Sequence, residues 1–401
     1  MGTPWLIFRM VIFLTMMTCV LTGAHYYLYR RWVKAPGLTG NLRRIGILLL
    51  VLFPVVMVLS IRHARALNDD TVAGWAYVGF GYMGFLFFAL ILTAIAHGTS
   101  GLLLRLKSRA AKSENRPVRT DRRALLARGA AGVSLLGSSA LSAEALAQGS
   151  RAPALKQIDV PVKGLPDSLE QFRIVQLSDI HIGPTLRADF LNEIVERVNA
   201  LSPDMVAITG DLVDGSVDQL SEHVRPLGRL KSRYGTFFTT GNHEYYSGAD
   251  AWIKFLTSLG IKVLRNEHVT LRHNDAAIDI IGVDDWRANR FGGDHGHDLE
   301  KAVRGRNRDR VGVLLAHQPK SIHEAAQHQV DLVLSGHTHG GQLWPFRFLV
   351  MLVQPYLEGL HQHTDRTSIF VHRGTGYWGI PMRLGVSAEI VELSLTRSLQ
   401  A

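Results

Sequence analysis

Cysteine is almost missing from this chain of 401 residues: Cys19 is the only one, and it lies inside an apolar run. One thiol cannot build an intrachain disulfide framework, and it takes Cys-ligated structural zinc out of consideration. Charge is sparse as well, with 19% Asp, Glu, Lys and Arg against 47% hydrophobic residues. Mean hydropathy is positive, which is high for a soluble protein and points to membrane segments. Acidic residues are scarcest at the start: residues 1–130 hold 17 Lys/Arg and 4 Asp/Glu, whereas 131–401 hold 27 and 30. The net charge of +10 therefore belongs to the N-terminal part, beside apolar runs. There it reads as a topology signal and not as a nucleic-acid footprint, so no nucleic-acid partner is expected.

Three runs nearly free of charge, residues 10–29, 45–61 and 72–96, show no amphipathic face and predict transmembrane helices. Charged groups are too few in them to line a transport pathway, Arg9 at the edge of the first being an isolated case. Gly79, Gly81 and Gly84 match a dinucleotide-binding pattern, but no strand precedes them, and close helix packing is the expected role. Arg30, Arg31, Lys34, Arg43 and Arg44 place the first loop in the cytoplasm, and nine Lys/Arg between Arg105 and Arg128 do the same after the third span. The loop with Asn68, Asp69 and Asp70 would face outward. Thr120, Asp121, Arg122 and Arg123 then precede a small-residue stretch ending Ala145, Leu146, Ala147. That order resembles a twin-arginine export leader, and a fourth crossing of this kind would put the C-terminal part of the chain outside the cytoplasm. An amphipathic linker helix on the cytoplasmic face is the alternative. The expected division is a membrane region over 1–104, a basic segment with leader or fourth span and linker over 105–155, and a catalytic domain over 156–401.

The third part alternates strand and helix signals, predicting α/β layers. Strands are expected at 172–177, 204–209, 234–240, 261–266, 311–315, 332–334, 368–372 and 389–395, with a hairpin of 269–272 and 278–283 about Asn274 and Asp275. Helices are expected at 187–200 and 220–231. Five strand ends carry metal-binding side chains: Asp179 with His181; Asp211 with Asp214; Asn242, His243 and Glu244; His317; and His337 with His339. Open α/β sheets bind ligands at strand ends, so these groups can meet in one crevice. A mixture of O and N donors without thiolate suits Mn, Fe or Zn better than Ca. Two cations a few ångströms apart need a shared anionic ligand, and Asp211, the most central, is the candidate bridge. Asp179 with His181, and His337 with His339, are spaced two apart, which lets each pair approach one metal. His295, His297, His361 and His363 lack strand-end placement and are expected as exposed loop histidines.

The motifs D-x-H, G-D-x-x-D, G-N-H-E, H and G-H-x-H, in that order over residues 179–339, resemble the calcineurin-like metallophosphoesterase superfamily, and within it the membrane-anchored bacterial branch. The resemblance implies a four-layer α/β/β/α sandwich of two mixed sheets behind the transmembrane helices. It implies two divalent metals, Mn first and Fe or Zn as alternatives. One would be held by Asp179, His181, Asp211 and His339, the other by Asp211, Asn242, His317 and His337. A hydroxide between them would attack phosphorus in line, with His243 at the leaving oxygen, oriented by Asp214. With the apolar runs and the export-like leader, the expected location is a bacterial inner membrane, the catalytic domain extracytoplasmic or, alternatively, on the cytoplasmic face. The implied substrate is a phosphodiester, pyrophosphate or phosphomonoester, with lipid-linked phosphates suggested by the tether. A non-catalytic metal-binding scaffold or sensor on the same fold is the alternative.

Two departures bear on substrate. Gly215 follows Asp214 where the protein Ser/Thr phosphatases of this superfamily have a phosphate-contacting arginine, which argues against a phosphoprotein substrate. Arg287, Arg290 and Arg373 are the remaining phosphate-contact candidates. Residues 343–360 are strongly apolar, with Trp344, Phe346, Phe348, Leu349, Met351, Leu352 and Tyr356. Packing against the domain body is the first expectation for them, and a membrane-facing rim the alternative.

Overall fold

The computed structural model describes residues 3–66, 71–113 and 120–397. The expected outward loop at Asn68–Asp70 and the basic residues Arg116 and Arg119 lie outside these. Two compact units are present, Met1–Glu144 and Ala145–Ala401.

The first unit is helical: α1 (Thr3–Leu28), α2 (Gly40–Ala66), α3 (Val72–Ser113) and α4 (Thr120–Gly149), whose last residues belong to the second unit. Stretches of all four, Val11–Lys34, Gly40–Ala64, Val72–Leu102 and Ala124–Gly149, are long and apolar enough to cross a membrane. Apolar side chains such as Phe13, Leu48, Val51 and Leu59 point outward, as lipid-facing groups do. The apolar residues of α4 are spread around its axis, unlike an amphipathic surface helix. A Cβ on Gly79 would lie 3.0 Å from Ile61 N and 3.1 Å from Met57 O, so this glycine seats α3 directly against α2, as expected. Trp32 Nε1, in the π-helical turn Tyr29–Lys34 that follows α1, donates to Ser134 Oγ at 2.9 Å and to Thr93 Oγ1 at 3.0 Å, tying that turn to α3 and α4.

The second unit runs β1 (Ala154–Val162), β2 (Arg173–Leu177), α5 (Ala188–Leu201), β3 (Met205–Thr209), α6 (Val217–Val224), β4 (Thr236–Thr239), α7 (Asn242–Ser247), α8 (Ala249–Ser258) and β5 (Lys262–Val263). It continues β6 (Glu267–His273), β7 (Ala276–Gly282), α9 (Leu299–Val303), β8 (Val311–Leu315), α10 (Ile322–Gln327), β9 (Leu332–Ser335), α11 (Arg347–Met351), β10 (Gly359–Gln362), β11 (Ser368–Val371) and β12 (Glu389–Arg397). One sheet has the order β1-β12-β2-β3-β4-β5, the other β10-β11-β9-β8-β7-β6. Both are mixed. β2 to β5 are parallel with β12 antiparallel to them, and β7, β8, β9 and β11 are parallel between antiparallel edges β6 and β10.

Strands β3 and β8 are buried on both faces, which explains their unbroken apolar runs. Ile174, Met205 and Phe237 of the first sheet pack on Ile278, Val313, Leu332 and Phe370 of the second. The first sheet's outer face packs on α5, α6 and α8 through Leu191, Ile194, Leu220 and Trp252, and the second sheet's on α9 and α10 through Leu299, Ala302 and Ile322. This is the expected α/β/β/α layering.

Three local expectations differ. Strand 261–266 shortens to two residues, because Asn266 turns left-handed (φ 53°) and Arg265 leaves to pair with Asp284 at 2.9 Å. Helix 220–231 starts earlier and ends at Val224, where a 3-10 turn, Arg225–Arg229, begins with Pro226 as its second residue. The apolar segment 343–360 packs on the body only in part, against the first expectation: Leu343 is buried and Tyr356 and Leu360 pack on the core, whereas α11 between them has no buried residue.

Candidate metal centre and active site

Each ligand island follows a parallel strand. Asp179 and His181 come after β2, Asp211 and Asp214 after β3, Asn242 and His243 after β4, His317 after β8, and His337 and His339 after β9. Parallel strands deliver these loops to one edge of each sheet, and hydrogen bonds stitch the two edges together. His317 Nδ1 donates to Thr209 O at 2.8 Å, and Gln176 Nε2 to Ser335 O at 3.0 Å.

The loops turn sharply where the ligands sit. Asp179 (φ 50°), His181 (52°), Asp211 (51°), His337 (70°) and His339 (51°) all have left-handed backbones. For residues with a Cβ this conformation costs on the order of 1 kcal/mol each or more, and it clusters at functional sites. Glycines make the approach possible: a Cβ on Gly336 would collide with the Asp179 carboxylate, and one on Gly241 with that of Asp211.

The donors form three groups, each with ligand atoms within 4.8 Å of one another: Asp179, His181 and His339; Asp211, His317 and His337; and His181, Asp214 and His243. In the first, His339 Nε2 is 3.3 Å from Asp179 Oδ1 and 3.1 Å from His181 Nε2. In the second, His317 Nε2 is 3.1 Å from Asp211 Oδ2 and 3.2 Å from His337 Nδ1. Asp211 Oδ2 also lies 4.0 Å from His181 Nε2, between the two groups. Paired ring nitrogens that face each other at this range need a shared proton or cation. Asn242 Oδ1 is buried and has no hydrogen-bond partner, as a metal-facing carbonyl oxygen would be. The two groups have the donor types that divalent cations take, and Asn242 offers a further unengaged oxygen.

The third group is a hydrogen-bonded relay. His181 Nδ1 donates to Asp214 Oδ2 at 3.1 Å and His243 Nδ1 to Asp214 Oδ1 at 2.5 Å. One carboxylate therefore fixes two rings and leaves both Nε2 atoms facing the site. Burial alone would raise the carboxyls of Asp179, Asp211 and Asp214, yet the adjacent imidazoles hold all three below the usual range. Burial opposes a charge on His243, but Asp211 and Asp214 outweigh it and hold its ring up at about 9. His317 is likewise raised, against burial, chiefly by Asp211. Burial and the charge of His317 push His337 down to about 3.

Glu244 has a role that no spacing argument assigned. It is fully buried, and its carboxylate accepts from Gly241 N at 2.6 Å, Asp211 N at 3.0 Å and Leu212 N at 2.7 Å, bracing two ligand loops at once. Its place beside Asn242 and His243 in the motif was the available signal. Arg383 was invisible in sequence. It is buried and braces the 373–376 loop by donating to Arg373 O at 2.9 Å and to Gly376 O. The mouth is aromatic, with Tyr246 and Trp378 ring centroids 5.3 and 5.9 Å from that of His243.

His295 and His297 are not the exposed loop histidines expected: they are half-buried, with His295 Nδ1 2.8 Å from Arg265 Nη2 and His297 Nε2 2.9 Å from Glu324 Oε2. His361 Nε2 donates to Glu358 O at 2.8 Å, and Tyr356 OH bonds His363. None of the four joins a metal-ligand group among the described residues. Of the arginines singled out, Arg373 pairs with Glu358 at 2.8 Å, and Arg287 is exposed.

Comparison with known proteins agrees with this geometry. A family model, calcineurin-like phosphoesterase, matches residues 172–341. A zebrafish (Danio rerio) transmembrane protein with metallophosphoesterase domain is 35% identical over 99% of this chain and 92% of its own length. The Bos taurus protein of the same description is 45% identical over 64% of this chain and 60% of its own length. An uncharacterized metallophosphoesterase of Helicobacter pylori is 43% identical over 63% of this chain and 67% of its own. The expected restriction to a bacterial branch is therefore not borne out, since animal transmembrane proteins stand among the most similar relatives.

Proposed function

The chain belongs to the calcineurin-like phosphoesterase family, and on that premise we propose a membrane-anchored, metal-dependent hydrolase of phosphodiester, pyrophosphate or phosphomonoester bonds. The observation that supports this reading is the clustering of Asp179, His181 and His339 and of Asp211, His317 and His337, beside a histidine whose ring Asp214 holds. Asp179, His181, Asp211 and His339 would hold one divalent cation, and Asp211, Asn242, His317 and His337 the other. When bound, such a pair supplies Lewis-acid chemistry, lowering the pKa of water and offsetting phosphoryl charge. Mn suits the donor set best, with Fe or Zn as alternatives.

The chain's own contribution is positional and acidic. Asp214 holds the His243 ring by Nδ1, leaving Nε2 for the reacting phosphate, and its carboxylate raises the ring's pKa, favouring a proton on it. That proton goes to the leaving oxygen. The aromatic mouth of Tyr246 and Trp378 supports an ester carried on an apolar group, in keeping with a lipid-linked phosphate. The fourth apolar helix supports an extracytoplasmic catalytic unit.

Purified full-length protein with Mn²⁺ should hydrolyse a generic aryl phosphodiester, and Asp211→Ala should abolish turnover. Unchanged turnover in that variant overturns the reading. Full metal loading without turnover on a broad phosphoester panel would favour the scaffold alternative.

A further inference from the structure

The chain exposes a second feature that hydrolysis does not use. Between residues 341 and 357 the only charged side chain is Arg347, which pairs with Glu358 at 3.0 Å. Around it, Trp344, Phe348, Leu349, Met351 and Val353 project outward, and Leu352 is 80% exposed. An apolar segment left bare in water costs about 25 cal/mol for each Å² not buried, so a patch of this kind marks a contact surface.

The backbone shows which surface it adjoins. The end of α4, residues 145–149, belongs to this unit and packs on residues 381–383: Arg383 N donates to Ala145 O at 2.9 Å, and a Cβ on Gly149 would lie 2.8 Å from Pro381 O. The next residue of that strand-like loop, Leu384, bonds both ends of the segment's root, with Trp344 N donating to Leu384 O at 3.0 Å and Leu384 N to Gln342 O at 2.9 Å. Gln342 Nε2 in turn donates to Trp378 O at 3.1 Å, and Trp378 stands beside His243. Within this unit, residues 145–149, the root of the bare apolar segment and Trp378 beside His243 are thus linked by one chain of backbone and side-chain contacts. Only four residues separate Gly149 from β1, a reach of about 18 Å at most.

We propose that residues 344–353, with Trp378, form an interfacial docking face that inserts into the lipid bilayer and holds the mouth of the metal site against it. Trp at the border and Phe, Leu and Met at the tip suit the headgroup boundary, and no carboxylate between residues 341 and 357 opposes entry. Docking depends on the membrane location of the chain and not on the hydrolytic reading.

The test uses the full chain in nanodiscs of phosphatidylethanolamine and phosphatidylglycerol. In a Cys19→Ala background, Leu352→Cys and, separately, Phe348→Cys carry an environment-sensitive fluorophore. Asp275→Cys, in the exposed turn between β6 and β7 remote from the metal site, serves as reference. At both patch positions the emission should shift to the blue, be quenched by nitroxide-labelled lipid and be shielded from iodide, while the reference probe shows the reverse. Patch probes quenched by iodide as fully as the reference and indifferent to nitroxide lipid overturn the proposal. So does efficient L352C-to-L352C cross-linking, which would identify a second copy of the chain as the occupant. Neither readout requires turnover, so the docking face and the hydrolytic reading fail separately.

Discussion

His317 Nδ1 lies 2.8 Å from the carbonyl oxygen of Thr209, so the backbone end of one sheet fixes the ring of a residue carried by the other. That bond sets the tautomer, leaving Nε2 to face Asp211 at 3.1 Å. The centre is therefore assembled across the sandwich, and each sheet alone would hold an incomplete set of donors.

Replacing His317 should empty one site and spare the other. Elemental analysis of His317→Ala is expected to fall from two metals per chain towards one, because Asp179, His181 and His339 keep their mutual geometry. Retention of two metals would remove His317 from the ligand set.

Loading the centre should release protons. Against burial, Asp211 raises the pKa of the His317 ring, and a bound cation competes with a proton for that ring. Calorimetric titration of metal-free protein with Mn²⁺ in buffers of different ionisation enthalpy should show net proton release, and His317→Ala should reduce it.

Asp214 serves two rings, so its loss acts twice. Asp214→Asn is expected to cut turnover about 10- to 100-fold, with weaker metal retention as well. In metal-free protein, NMR titration should place wild-type His243 near its raised value of about 9 and move it towards 6.5 in the variant. The sign for stability comes from the upward shift. The His243 contribution is fully present below about 6.5 and is lost as pH rises through about 9. Thermal unfolding of wild type and Asp214→Asn should therefore diverge most below that window and converge above it.

Gly336→Ala tests the tightness of the ligand loops. The added Cβ meets Ser178 Oγ and the Asp179 carboxylate, so the variant should lose about 1–3 kcal/mol of stability and bind the first metal poorly. Wild-type melting and metal content would show that the loops yield.

Much of this was legible along the chain because it depends on residue type and short spacing. Uninterrupted apolar runs marked α1, α2 and α3, since a helix in lipid needs no polar face. The turn at Asn274 and Asp275 marked the β6–β7 hairpin. Polar side chains at the ends of buried strands, where only function or capping accounts for them, marked the seven proposed ligands with Asp214 and His243.

What tertiary structure decided concerns groups distant in sequence. Glu244 braces loops through backbone amides more than thirty residues away, and spacing cannot report a bond to backbone. The pairing of His297 with Glu324, and of Arg265 with Asp284, depends on how loops fold back over the sheet. Apolar composition of residues 343–360 fitted burial and exposure equally, because hydropathy measures what a side chain prefers and not whether another surface is there to cover it. The chain by itself determined which atoms were available to bind metal and which helices suit a bilayer. Only the packing of one sheet on the other decided that those atoms meet, because the closure of two sandwich layers is a property of distant contacts.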